Sequence, residues 1–260
     1  MKVTQINFIN KDGMSRSERT AHARELIRNS EKSDLYMLPE LWNTGFFSFS
    51  DYERNAEALE GDTVSSMRIL AREIGSNIFM GSFAEKRDGK LFNTAVLIDR
   101  NGEIISTYSK IHLFGDEKNY MSPSDKISVS DTDFGRVGIG ICYDMRFPEL
   151  FRKMVDEGAE IFLVCAAWPH SRLEHWDVFN RVRGLENQAI LLSCCSAGFD
   201  CGNEYANLSY AVLPDGTVAS RSSKEVTTLE IDTASVSEYR KAFSALRDRK
   251  ITSGDFITGI

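Results

Sequence analysis

The stretch Arg136-Val137-Gly138-Ile139-Gly140-Ile141-Cys142-Tyr143-Asp144-Met145-Arg146-Phe147-Pro148-Glu149-Leu150 places an apolar run, a thiol and a proline in that order. Residues 136–142 read as a buried strand, short, β-branched and free of charge after Arg136. Pro148 suits the first turn of a helix, where its missing N–H costs nothing, and apolar spacing predicts a helix over 147–157. Cys142 therefore stands at the corner between strand and helix. A nucleophile at such a corner is exposed at the strand end, and the N–H groups of the following turn can face an oxyanion. The same residues also describe a buried structural cysteine. Gly138 and Gly140 read as close packing rather than as a phosphate cradle, since no dinucleotide fingerprint surrounds them.

Outward from this corner, short apolar runs alternate with amphipathic stretches. Strands are predicted over 2–8, 34–39, 77–84, 92–99, 103–108, 136–142, 160–166, 190–196, 207–213 and 226–231, and helices over 16–30, 62–75, 147–157 and 174–188. Asp62 is the expected N-cap of the second helix. Asp88-Gly89 and Asn101-Gly102 fall between strands as hairpin turns would, and Asp215-Gly216 is a further turn signal. No linker or repeat interrupts the pattern, so residues 1–260 are expected to form one domain. Strands, helices and hairpins mixed in this way point to an α/β or α+β layering, with a two-sheet sandwich and a barrel both open.

Two more segments end a predicted strand on a reactive side chain. In Asp34-Leu35-Tyr36-Met37-Leu38-Pro39-Glu40 the proline stops sheet pairing, which leaves Glu40 at a strand mouth as a candidate general base or else as a surface carboxylate. In Tyr108-Ser109-Lys110-Ile111-His112-Leu113-Phe114 the lysine is either a buried ammonium in need of a counter-charge or a snorkelling surface residue.

Composition narrows the class of function. The chain has 260 residues, 38 acidic and 31 basic side chains and a net charge of −7, with no basic stripe of the kind that neutralises phosphates. No nucleic-acid partner is expected. No secretory segment opens the sequence, and no window approaches the ~18 apolar residues of a membrane span. Five cysteines, an odd number, fit a reducing compartment, so a cytoplasmic protein without a membrane partner is expected. Cys165, Cys194 and Cys195 read as small core residues and Cys201 as exposed, while His22 and His175 read as helical residues.

Taken together, Leu38-Pro39-Glu40, Lys110-Ile111-His112-Leu113-Phe114 and Gly140-Ile141-Cys142-Tyr143-Asp144-Met145-Arg146-Phe147-Pro148-Glu149 resemble the Glu-Lys-Cys motifs of the nitrilase superfamily, the carbon–nitrogen hydrolases. Asn93-Thr94-Ala95, Trp168-Pro169 and Arg183-Gly184-Leu185-Glu186-Asn187-Gln188 resemble further segments of that family, so the likeness spans the chain. The resemblance implies an α/β fold, an αββα sandwich that becomes four-layered (αββα-αββα) when two copies pair, and hence a homodimer or a higher oligomer. It disfavours the barrel.

The resemblance also implies roles. Glu40 would take the Cys142 proton as sulfur attacks an amide carbon, Lys110 with the Tyr143 N–H would hold the oxyanion, and water would then hydrolyse the thioester and complete the release of ammonia and acid. No metal or other cofactor is required, because the ammonium does the work of a Lewis acid. Glu117 matches the second glutamate of the family, with Asp116 as the adjacent alternative, and His112 would support the triad. The chain length, Leu41-Trp42-Asn43-Thr44-Gly45-Phe46 and Tyr239-Arg240-Lys241-Ala242-Phe243 look most like the ω-amidase-like branch, whose substrates are small ω-amides of 2-oxo acids such as 2-oxoglutaramate. Candidate pocket residues are Trp42, Phe46, Phe47, Trp168 and His170. Arg146 is expected either to meet a substrate carboxylate or to pair with Glu149. Ser193-Cys194-Cys195-Ser196-Ala197-Gly198 departs from the Cys-Asn-Arg-Val-Gly of many amidases and lacks its cation. An N-carbamoyl amidohydrolase, a nitrilase and a catalytically silent binding protein are the alternative readings. A glycosidase using Glu40 and Glu117 would leave Lys110 and Cys142 idle.

Overall fold

A computed structural model of the chain describes residues 1–250. The first half contains β1 (Lys2–Ile6), β2 (Ile9–Asn10), α1 (Arg16–Asn29), β3 (Leu35–Met37), α2 (Tyr52–Asn55), α3 (Asp62–Ile74), β4 (Asn77–Arg87), β5 (Lys90–Ile98) and β6 (Ile104–Ser109). Then come β7 (Val129–Thr132), β8 (Gly135–Ile141), α4 (Pro148–Asp156), β9 (Ile161–Ala166), α5 (Leu173–Asn187) and β10 (Ile190–Cys195). The chain continues through β11 (Ala197–Asp200), β12 (Asn203–Glu204), β13 (Ser209–Val212), β14 (Val218–Ser222), β15 (Val226–Glu230) and α6 (Ser235–Ala242).

Two six-stranded sheets result, one in the order β15-β1-β3-β4-β5-β6 and the other β14-β13-β10-β9-β8-β7. The central strands β1, β3 and β4 of the first and β8, β9 and β10 of the second run parallel, and antiparallel strands complete the edges. Parallel strands covered on both faces should be apolar throughout. Every residue of β9 and β10 is accordingly buried.

Helices cover the outer faces. On the first sheet, Ala23 and Ile27 of α1 and Val64, Met67 and Leu70 of α3 pack on Ile78, Met80 and Val96. On the second, α4 lies so close to β8 that a Cβ at Gly138 would stand 2.7 Å from Met154 Sδ and one at Gly140 would stand 3.3 Å from Phe151 Cζ. The two glycines thus serve helix packing. Between the sheets, Val3, Met37, Phe79 and Leu97 share a core with residues of β8, β9 and β10. Gln5 crosses that core and donates to the carbonyls of Ser193 (2.8 Å) and Tyr210 (2.7 Å). The layering is the αββα sandwich.

Hairpins form at Asp88-Gly89, Asn101-Gly102 and Asp215-Gly216. Gly61, not Asp62, is the N-cap of α3, and Asp62 is its first helical residue. Cys165, Cys194 and Cys195 are buried and Cys201 is exposed. Among the described residues no helix is long and apolar enough to cross a membrane.

Candidate active site

Glu40 follows β3, Lys110 follows β6 and Cys142 follows β8, so two of these groups come from one sheet and the third from the other. At both the carboxylate and the thiol the backbone turns through the left-handed region, with φ 45° at Leu41 and 46° at Cys142. Such conformations are strained for residues with a side chain and persist where the surroundings impose them. They fall at the two positions where the chain leaves β3 and β8 and where the candidate residues Glu40 and Cys142 stand.

The three segments converge on one buried cluster. Lys110 Nζ donates to Glu40 Oε1 (2.7 Å) and to Glu117 Oε2 (2.9 Å), and all three residues are essentially without solvent contact. Burial by itself lowers the pKa of the Lys110 ammonium, but the charges of Glu117 and Glu40 outweigh it and hold it well above the ordinary lysine range. Glu117 is shifted upward by its own burial, against the opposing pull of Lys110. It reaches the cluster because a 3-10 turn over Gly115–Asn119 directs it inward, while Asp116 is exposed. Of the two acids, Glu117 is the one in the cluster.

Asn93 Nδ2 donates to both Glu40 Oε1 and Glu117 Oε1, at 2.8 Å each. The other Glu40 oxygen accepts the Ala167 N–H (2.8 Å) from the end of β9, across the sheet interface. The Cys142 thiol, 6% exposed, is raised well above its usual range, first by burial and then by the Glu40 charge, so it rests protonated. The 3-10 turn Cys142–Arg146 begins at the candidate nucleophile, and its first N–H groups, Tyr143 among them, lack partners within the turn.

Asp144 bolts the lysine segment to the cysteine corner. Its buried carboxylate accepts from Tyr108 Oη (2.8 Å), the Ile141 N–H (3.0 Å) and the His112 N–H (3.3 Å), and it lies 2.7 Å from His112 Nδ1. The His112 ring stacks on Phe147 at 3.6 Å. His112 is thus one step removed from the triad.

A slot lined by Phe46, Phe47, Phe114, Tyr143, Arg146, Ala167, Trp168, Pro169 and Arg172 leads to Cys142. Asp200 fixes its aromatic wall by accepting the Phe47 N–H (2.6 Å), Ser48 Oγ (2.8 Å) and Tyr205 Oη (2.8 Å). Tyr205 Oη accepts the Phe46 N–H in turn (3.1 Å).

Two expected pocket residues lie elsewhere. Trp42 is fully buried with the helix-side core of the first sheet, its ring 5.7 Å from Phe8 and its Nε1 donating to the Met80 carbonyl (2.6 Å). The turn at Leu41 sends it there. His170 is exposed and does not line the slot. It begins the 3-10 turn His170–Arg172, and successive residues of such a turn point about 120° apart, so Arg172 at the other end faces the slot instead. Arg146 does line the slot, but its Nη2 donates to His175 Nδ1 (3.1 Å) rather than to Glu149. Asn93, Asp144, Ala167 and Arg172 were not assigned roles from sequence. Asn93 and Asp144 carried a signal, since each lies in a segment that resembles the family.

The profile of the carbon-nitrogen hydrolase family matches residues 5–241. A 2-oxoglutaramate amidase of Paenarthrobacter nicotinovorans is 32% identical over 246 residues, covering 90% of this chain and 84% of that protein. An omega-amidase of Mus musculus is 30% identical over 263 residues, covering 95% and 92%. Among solved structures, a nitrilase-superfamily protein of Saccharomyces cerevisiae superposes with a TM-score of 0.88 at 24% identity, covering 96% of this chain and 97% of that one. A carbon-nitrogen hydrolase from Helicobacter pylori G27 gives 0.87 at 25%, covering 98% and 95%.

Proposed function

This chain belongs to the carbon–nitrogen hydrolase family and is an amide-hydrolysing enzyme, and from that premise we propose that it deamidates small ω-amides of 2-oxo acids, 2-oxoglutaramate foremost, through a thioester on Cys142. The observation that carries this reading is the meeting of a protonated thiol, two carboxylates and one ammonium at the end of a narrow slot. The names of the relatives at 30% identity and above support the substrate.

The residues divide the chemistry as follows. Cys142 Sγ attacks the amide carbon while its proton passes to Glu40, so that no free thiolate has to form in a site that disfavours it. The oxyanion receives the remaining N–H of Lys110 and the Tyr143 N–H. Protonated Glu40 gives its proton to the departing nitrogen, the C–N bond breaks, and ammonia leaves. Water then loses a proton to Glu40 and attacks the thioester, which returns the proton to sulfur and frees the acid. Phe46, Phe47 and Trp168 shape the slot around a short substrate. The same reading makes residues 1–250 one domain, the last ten residues of the expected 1–260 lying outside those described, and pairs two copies into four layers.

The test is ammonia release from 2-oxoglutaramate, a simple amide, an N-carbamoyl amino acid and a nitrile. The wild-type enzyme should prefer the first, and Cys142→Ala should lose at least about 10⁴ in kcat. Carbon dioxide evolved with ammonia would move the enzyme to carbamoyl substrates, and activity surviving in Cys142→Ala would remove the nucleophile from the scheme.

A further inference from the structure

The side chains that bring charge to the outer part of the slot are both cations, Arg146 and Arg172. Arg146 Nη2 lies 3.1 Å from His175 Nδ1, and its guanidinium lies over the rings of Trp168 (5.1 Å), Phe179 (5.2 Å) and Tyr143 (5.8 Å). Arg172 lies over Phe114 at 5.6 Å. None of these contacts supplies a negative charge, and among the described residues neither guanidinium has a carboxylate partner. Burial lowers the Arg146 pKa, and the charge of Arg172 opposes protonation further, so the two cations repel one another across the slot.

The backbone of Arg172 is held while its side chain is exposed. Trp168 Nε1 donates to its carbonyl (2.8 Å), and its own N–H donates to the Pro169 carbonyl (3.1 Å). The 15 residues of α5 begin at the next position, so the partial positive charge of a helix N-terminus adds to that of the guanidinium. Two cations with no carboxylate partner among the described residues, set in a wall of rings, call for an anion brought from outside.

We propose that Arg172 is the specificity-determining residue of this enzyme: with Arg146 as a second cation, its guanidinium receives a carboxylate at the far end of the amide substrate. This rests on the amide-hydrolase reading of the same slot and names the residue that selects acidic amides over neutral ones. A planar guanidinium offers a carboxylate two parallel N–H bonds, which lysine cannot match.

Succinamate and butanamide, linear amides of equal chain length ending in a carboxylate and a methyl group, separate the effect. The wild-type enzyme should favour succinamate. Arg172→Met should lower its kcat/KM by about 10- to 100-fold, mainly through KM, and leave butanamide within about twofold; Arg172→Lys should fall between. Equal losses on both amides, no loss on succinamate, or a wild-type preference for butanamide would overturn the proposal. Calorimetric binding of succinamate to Cys142→Ala protein, with and without Arg172→Met, makes the same comparison without turnover, and equal affinities would again overturn it. An enzyme that hydrolyses succinamate but leaves 2-oxoglutaramate untouched refutes the substrate named above while the arginine result stands.

Discussion

Lys110 has three N–H bonds to place, and Glu40 and Glu117 take two of them. The third is free for substrate, with the Phe46 ring 5.2 Å away on the slot side. On the proposed mechanism the ammonium must stay charged, and the first charge holding it so against burial is that of Glu117. Glu117→Gln keeps the shape and removes that charge. The Lys110 pKa should then fall, so the alkaline limb of kcat/KM, measured between about pH 7 and 11, should move to lower pH, with kcat down about 10- to 100-fold. An unmoved alkaline limb would detach Glu117 from the lysine. Glu40, Lys110 and Cys142 stood out in sequence because each follows an apolar strand, but it was the resemblance of their three segments to one family that chose between the buried and the bland readings, and the structure brings the three side chains together. Trp42 misled for a physical reason: an aromatic beside the base looks the same whether it faces the slot or the core, and only the left-handed turn at Leu41 decides. Arg172 was hidden because its position depends on a short turn and not on periodicity.

At the scale of elements, β4 bulges between Phe79 and Ser82 and presses Gly81, at φ 65°, against the segment that carries Glu40. A Cβ there would stand 1.9 Å from the Pro39 carbonyl oxygen. Gly89, at φ 71° in the β4–β5 hairpin, has nothing within 4 Å of the same position. Gly81→Ala should therefore destabilise by about 3 kcal/mol, where Gly89→Ala costs about 1 from backbone strain alone. Thermal melts should show the first shifted by roughly 6–12 °C and the second by a few, and activity should fall only in the first. Equal shifts would mean that the contact with Pro39 is relieved by movement. The pattern of elements was readable wherever burial wrote it, as in β8, β9, β10 and the amphipathic α3. β7 and β14 escaped because Val129-Ser130-Asp131-Thr132 and Val218-Ala219-Ser220-Arg221-Ser222 are polar edge strands, and α6 because Val236 is its one buried residue.

For the whole molecule, the outer face of α5 exposes Val178 (57%) and Leu185 (48%), seven residues apart on one side of the helix. We propose this face for the pairing of two copies, because it leaves two large apolar side chains uncovered. Light scattering should give twice 29.3 kDa for the wild-type chain and 29.3 kDa for Val178→Asp/Leu185→Asp; a wild-type monomer would refute the pairing. The division of the site between two sheets has a consequence for the life of the chain before it is finished. Glu40 and Lys110 leave the ribosome on one layer and Cys142 and Ala167 on the other, and β15, which closes the first layer on β1, comes near the end of the chain. Until the layers meet, the cysteine has no base to take its proton and no ammonium beside it, so the growing polypeptide carries an ordinary thiol. On the proposed mechanism, reactivity is thus conferred by the packing of one sheet on the other and by neither layer alone.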